Sequence, residues 1–344
     1  MFEKKHVDFA IIGGGIIGAM VATLAKIRNP KLSIAIIDKN MVGHGASLLS
    51  AALSADCSNG QHTNDLITRN ARVMQELGKF IDLPLIEKPC IHIVGSAELY
   101  KFNHSYLNSK HKSEIINSIS SLGELTIPKD KEIFLSDKGV HFVNISALLN
   151  NLCAFLRSND CRIYECCEVQ KLSKSNDTTI ITCTNNLEFI ANKVCVAIGP
   201  WSNNSVIANY ASKNKKITAF HLNKLPSDND PIIMFFDENA FLLPLTYRKH
   251  WLYSITSDEW NVNPEDKLSI SKNDLEEADK ILNKYGMNFS NLFSGGRVFC
   301  DSYNQTRELS IQKPYPEIAI VTGASGSGYR LSYGVADKVL EGLL

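Results

Sequence analysis

The chain has 344 residues, 44% hydrophobic and 21% charged, with 36 Lys+Arg against 36 Asp+Glu. That length predicts two domains, or one large α/β domain with an elaborate insertion, and the composition excludes a disordered chain. The charge balance offers no field to attract nucleic acid or an anionic membrane, so no nucleic-acid partner is expected.

The nine cysteines are scattered. Cys166 and Cys167 are adjacent, and no C-x-x-C pair occurs. Neither a zinc site nor a disulfide framework is expected, and no metal; the thiols suit a reduced, cytoplasmic protein. Lys4 and Lys5 precede an apolar run from Phe9 to Ala25 that imitates a signal peptide. Four glycines interrupt the run and no small-residue cleavage site follows, so a strand, a turn and a helix are predicted instead. No other stretch approaches the roughly 20 apolar residues of a membrane span, and no transmembrane segment is expected.

Val7 to Ile12 reads as a strand, Gly13-Gly14-Gly15-Ile16-Ile17-Gly18 as a turn, Ala19 to Lys26 as a helix and Ser33 to Ile37 as a second strand ending in Asp38. This is a βαβ unit with G-x-G-x-x-G at its first turn and an acid twenty residues beyond the last glycine. Gly13 permits the tight turn, Gly15 lets the backbone approach a pyrophosphate, and Gly18 lets helix and strand pack closely. The helix N-terminus presents N–H groups to the phosphates, and Asp38 would accept from a ribose. A small-residue loop follows, from Gly43 through His44, Gly45, Ala46 and Ser47 to Ser54.

Asp65 to Ile81 is a helix by its apolar spacing, ended by Pro84 and Pro89. Short β-like runs occupy 91–94, 132–135 and 140–143. A helix is predicted over 146–158, and strands over 162–169, 178–184 and 193–198. Residues 216–256 read as several antiparallel strands, and 273–285 as a helix with Gly286 at its end. A buried strand from Ile318 to Thr322 leads into a second glycine cluster, Gly323-Ala324-Ser325-Gly326-Ser327-Gly328, before a helix from about Tyr329 to the end. Strand–glycine–helix units at opposite ends of the chain suit one long cofactor touched by both.

Five motifs in order carry a resemblance: "IIGGGIIG…IIDK", "GHGASLLSAAL", "VCVAIGPWS" at 194–202, "SGGRVF" at 294–299 and "GASGSGYRLS" at 323–332. In these the chain resembles the FAD-dependent amino-acid oxidase and dehydrogenase family, the group of D-amino-acid oxidase, glycine oxidase, sarcosine oxidase and D-arginine dehydrogenase. The resemblance implies an α/β fold: a Rossmann-like FAD-binding domain with a β-rich substrate (cap) domain, built as in D-amino-acid oxidase. It implies a discontinuous FAD-binding domain of residues 1–82, 144–215 and 294–344, with 83–143 and 216–293 binding the substrate.

FAD is the implied cofactor. The resemblance places it on Gly13, Gly15, Ile17 and Gly18, on Asp38 and Lys39, and on Gly45, Ala46, Ser47, Ala52 and Leu53. It continues over Val169, Gly199 and Trp201 to Gly326, Gly328, Tyr329 and Arg330. The implied substrate is an amino acid or related amine, whose carboxylate an Arg holds best through its planar fork. Arg297 stands in the family's Gly-Leu-Arg segment, and Arg330 where sarcosine oxidases carry a carboxylate-binding Lys. Tyr247, Tyr253 and Tyr329 could close the pocket, while His44 and His221 could lie near the substrate. The flavin performs the redox step, and the implied reaction passes a hydride from the substrate's C–N carbon to it.

The pattern departs from the family at Val298, where Pro is common, and in "SLLSAAL", which lacks the usual Arg or Asn. No Lys over the flavin can be matched, which leaves oxidase and dehydrogenase both open, and the electron acceptor with them, oxygen or another. A 2-hydroxy-acid-oxidising flavoenzyme and a non-catalytic flavin-binding subunit of a larger complex are the alternatives. Cys300 aligns with a stretch in which sarcosine oxidases bond the flavin; non-covalent FAD is the expectation here.

Overall fold

The computed structural model describes residues 3–55, 57–58, 60–107, 110–113, 121–136, 139–203, 208–210 and 212–344. Its first sheet is organised around the strand Glu3–Ile12, which pairs in parallel with Ile34–Ile37 on one side and Leu187–Val196 on the other. Arg162–Tyr164 extends the parallel order beyond Ile34–Ile37, and Ile318–Thr322 pairs in parallel with the last residues of Leu187–Val196. The antiparallel strands Val169–Ser175 and Thr178–Cys183 join through the first half of Leu187–Val196.

Side chains alternate across a strand, and here the two faces bury different layers. Phe9, Ile11, Ile34, Ile36, Cys195 and Val321 face the helices Ile16–Arg28, Gln61–Leu77, Ile145–Ser158 and Gly328–Leu343. Ala10, Ile12, Ile37, Val194, Val196 and Ile320 share the opposite core with Val169, Ile181, Cys183 and Phe189. Gly334 lets the last helix meet Gln61–Leu77 closely, since a Cβ there would lie 2.0 Å from Leu66 O. Asp337, buried at that contact, accepts from Arg28, Arg69 and Arg72.

The helix expected over 65–81 instead spans Gln61–Leu77. Its first turn is tied by Glu308, whose Oε1 accepts from Thr63 N at 3.1 Å, a partner that local spacing could not reveal. The strand expected over 162–169 stops at Tyr164. Cys166 turns left-handed there, at φ 53°, and the amides of Cys166 and Cys167 donate to Asn40 O and Asp38 O.

A second sheet of eight strands runs in the order Phe293–Tyr303, Lys213–Leu222, His250–Trp260, Ala240–Leu245, Ile232–Phe235, Cys90–Gly95, Lys131–Ser136, His111–Ser113. Its pairings are antiparallel except for Ile232–Phe235 with Cys90–Gly95. One face, with Phe220, Phe235, Trp251 and Tyr253, packs on the helix Lys272–Lys284. The other face, with Ala219, Leu243, Leu245 and Leu252, packs on Phe142 and its neighbours, in a small third sheet of Leu53–Ala55, Val140–Val143 and Leu85–Glu87. Lys213–Leu222 and Phe293–Tyr303 belong to this second sheet along their whole length, so the changeover between sheets falls near 213 and after 303. Among the described residues, no helix is long and apolar enough to cross a membrane, and no cluster of His, Cys, Asp and Glu could hold a metal ion.

Candidate active site

A cavity of about 1240 Å³ lies between the glycine turns of the first sheet and one face of the second. Ordinary small-molecule clefts span ~300–1,000 Å³, so this one has room for a dinucleotide and a small substrate together.

At one end stands the first glycine turn. Gly13 has φ 99°, and a Cβ there would lie 2.4 Å from Ala197 O. A Cβ on Gly18 would lie 1.9 Å from Gly13 O. Both glycines are therefore demanded by the backbone's own packing. Gly15 differs: its Cβ would meet only Ser47 Oγ, at 3.2 Å, and it begins the helix Ile16–Arg28 facing the cavity. Ser47 Oγ accepts from Ile16 N at 2.9 Å, fastening the second loop to that helix start. Asp38 accepts from Gly14 N at 2.6 Å and Asn40 N at 2.7 Å. Burial raises its carboxyl pKa, and the two amide bonds oppose the rise.

Of the residues assigned to FAD from the sequence, all but Gly18 line this cavity. Lys39 lies over the Trp201 ring, 4.5 Å from its centroid, and pairs with Glu265. Trp201 Nε1 donates to the same carboxylate at 2.6 Å. Gly199 and Ala52 both have positive φ, 57° and 48°.

The C-terminal glycine cluster is held from the strand Phe293–Tyr303, by residues the sequence reading did not single out. Asp301, buried, accepts from Gly326 N at 2.6 Å and Ser302 N at 2.9 Å. Ser302 Oγ accepts from Gly323 N at 3.2 Å. Arg330 donates to Cys57 O, to Ala55 O at 3.3 Å and to Ser327 Oγ at 2.7 Å. Its guanidinium thus ties the two cofactor-facing loops together while lining the cavity. Tyr329 lines it too, and its hydroxyl sits 3.1 Å from His141 Nε2.

Arg297 lies just past the cavity wall. Its strand partner Ala219 lines the cavity, as does Phe299, which shares its face of the strand. His221, Arg248, His250 and Tyr247 surround it electrostatically. Arg297 Nε, His221 Nε2 and His250 Nε2 are all shielded from solvent and have no hydrogen-bond partner. Burial, and then the Arg248 guanidinium, push the Arg297 pKa down to about 10. Burial, His250 and the two arginines push His221 down to about 4. Burial also lowers His250.

Three residues named from the sequence, Tyr253, His44 and Cys300, lie elsewhere. Tyr253 follows Leu252 and precedes Ser254, so alternation turns it onto the opposite face of the sheet. It is fully buried there and donates to Ala278 O at 3.3 Å. His44 is exposed and does not line the cavity. Cys300 is absent from the walls as well, facing away from the side that carries Phe299 and Asp301. Burial raises its thiol pKa to about 11. Arg248, His250, His141 and Asp301 escaped the sequence reading because no glycine motif or fixed spacing marks them.

A parallel sheet with a glycine-turn cradle and a second sheet roofing the same cavity define a flavin-dependent oxidoreductase scaffold. The chain belongs to the family described as FAD dependent oxidoreductase, whose sequence profile matches residues 8–341. Its cofactor is FAD, and the residues around the cavity fit that group: a helix start and two glycine loops at the polar end, and apolar walls of Ile217, Ala219 and Phe299 at the other. No curated protein sequence matches it. Among solved structures it is similar to L-proline dehydrogenase from P. horikoshii, at TM-score 0.82 and 14% identity, covering 98% of this chain and 93% of that one. It is similar also to the FAD-bound L-alpha-glycerophosphate oxidase from Mycoplasma pneumoniae, at TM-score 0.82 and 14% identity, over 98% and 95% of the two chains. Glycine oxidase from Geobacillus kaustophilus matches at TM-score 0.78 and 17% identity, over 98% and 94%.

Proposed function

We propose that the chain oxidises the C–N bond of an amino acid or related amine, and that Arg297 anchors the substrate's carboxylate. The observation that carries this reading is the Arg297 guanidinium itself. It stands beside the cavity with its Nε shielded and unpartnered, and no carboxylate pairs with it among the described residues. A buried cation without a counter-ion is costly, and a bound carboxylate relieves that cost. L-Proline dehydrogenase and glycine oxidase, both similar in fold, are named for amino-acid substrates.

FAD, when bound, supplies the acceptor for the hydride that leaves the substrate's carbon. The chain's own residues orient and enclose. Arg297 fixes the carboxylate, and with it the direction of the neighbouring C–H bond. Ile217, Ala219 and Phe299 present apolar surface that excludes water from the reacting end. Asp301 and Arg330 hold the loops that shape the cofactor's seat. Gly15 and the start of the first helix would take the pyrophosphate, and Asp38 would take the ribose. Lys39, Trp201 and Val169 would line the adenosine end, and Ala52, Leu53 and Tyr329 the flavin end. In this reading the first sheet with its helices binds FAD and the second sheet caps it, with a boundary near 213 and another after 303. The nine unpaired thiols support a reducing, cytoplasmic setting.

The test is turnover by the isolated, FAD-loaded chain with an artificial electron acceptor against D- and L-amino acids, N-methylated amino acids and 2-hydroxy acids. Ammonia or amine release, with flavin bleaching under anaerobic conditions, is the expected result. Bleaching by a hydroxy acid alone would replace the amine with an alcohol. No bleaching by any member would point to a non-catalytic flavin subunit.

A further inference from the structure

We infer that the anchor on Arg297 continues outward onto Arg248, and that the natural substrate is an acidic amino acid whose second carboxylate Arg248 receives. The inference deepens the proposed function and rests on Arg297 holding the first carboxylate.

Charge accounting is the first ground. Arg297 and Arg248 carry two positive charges, and the groups that act on Arg297 are Arg248 and Tyr247, with no acid among them. Those acting on His221 are His250, Arg297 and Arg248. The arginines that meet the last helix are treated differently. Arg28, Arg69 and Arg72 all meet carboxylates, converging on Asp337. One bound carboxylate would offset Arg297 and leave Arg248 unmatched; a second completes the balance.

The second ground is placement. Arg248 is exposed and lies over the Tyr247 ring, 5.7 Å from its centroid. Tyr247 in turn stacks on Phe142, at 6.5 Å and 28°. Phe142 pairs with Leu53, a wall of the cavity. Arg248 therefore stands beside the cavity, at the exposed end of a basic group that reaches inward to Arg297, just past the cavity wall. The His221 and His250 rings, each close enough to feel both guanidinium groups, lie 4.3 Å apart, each with its Nε2 shielded and unpartnered. His221 Nε2 can donate to an anion spanning the two guanidinium groups in the tautomer that carries its proton there, whereas His250 donates through Nδ1 to Arg248 O at 3.1 Å, which leaves its own Nε2 an acceptor.

The experiment compares inert acids of equal length on the FAD-loaded protein: succinate against butyrate, and glutarate against pentanoate. Binding is read from perturbation of the flavin absorbance and from ligand-induced shifts in Tm. One dicarboxylate should bind about tenfold more tightly than its monocarboxylate partner, the value of a charge-assisted contact moderated by solvent at Arg248. In Arg248→Gln, an exposed substitution, that preference should fall to within about twofold. In Arg297→Met, both kinds of acid should lose their binding. Equal binding of mono- and dicarboxylates, or a preference that survives Arg248→Gln, overturns the second carboxylate while leaving the first in place. Failure of every acid to bind the unaltered protein overturns the Arg297 anchor and this inference with it.

Discussion

Replacing Arg297 with Met should stabilise the substrate-free protein and disable it as an enzyme. Met keeps much of the stem and discards the charge. In the fold the guanidinium pKa lies at about 10, against 12.5 for an unburied Arg. At about 1.36 kcal/mol for each pH unit, holding the charge in the free protein costs roughly 3 kcal/mol. The sign follows from linkage. The folded pKa is below the unfolded one, so the unfolded chain holds this proton more tightly, and the charge works against folding throughout the neutral range. Removing it should return about 1–3 kcal/mol, the lower figure allowing for imperfect packing of the thioether. For a chain of this size that is a rise in Tm of a few degrees. The same change deletes a bidentate, charge-assisted contact to substrate, at about 1.5–3 kcal/mol for each bond, or roughly 10²–10⁴ in kcat/KM. Calorimetry of the FAD-loaded, substrate-free variant measures the first effect, and dye-coupled turnover the second. A Tm lowered by several degrees would show that Arg297 is paired in the free protein. A kcat/KM within about threefold of the original would show that it never meets the substrate.

Gly15→Leu should yield folded protein that has lost FAD, because its side chain enters the cavity, whereas Gly18→Ala, 1.9 Å from Gly13 O, should fail to fold; flavin absorbance and circular dichroism separate the two, and a yellow Gly15→Leu protein would refute the phosphate placement. FAD should be non-covalent: acid precipitation should leave the colour in the supernatant, and a yellow pellet that turns colourless in Cys300→Ser would show a bond. Stability should fall as pH drops from about 6.5 towards 4, since His221 takes up its proton in the unfolded chain near 6.5 but in the fold only near 4. Urea midpoints across that window should show a shallower decline in His221→Phe; an unchanged slope would remove His221 from the account. Asp301→Asn should weaken FAD retention, because an amide presents one acceptor oxygen where the carboxylate presents two to the Gly326 and Ser302 amides; equilibrium dialysis of FAD measures it, and unaltered retention would refute the role.

What the sequence determined by itself was whatever depends on neighbours a few residues apart. The turn Gly13–Gly18, the acid Asp38, the loop from Gly45 to Leu53 and the cluster from Gly323 to Gly328 are legible because tight turns and helix starts demand particular residues at short, fixed spacings. The helix Ile145–Ser158 and the strand Ile318–Thr322 likewise follow from local periodicity. The rest was decided by strand pairing between distant segments. Tyr253 and Ser254 are equally plausible pocket residues on paper, but register turns Ser254 to the cavity and Tyr253 into the core behind it. The start of the helix Gln61–Leu77 depends on a carboxylate from Glu308. Arg297, His221, Arg248 and His250 come from three strands and the turn that precedes one of them, and no spacing links them. Only the pairing of Lys213–Leu222 with Phe293–Tyr303 on one side and His250–Trp260 on the other brings them to one face. Burial there raises the cost of an unpaired charge, and that turns a group of basic residues into a site for an anion.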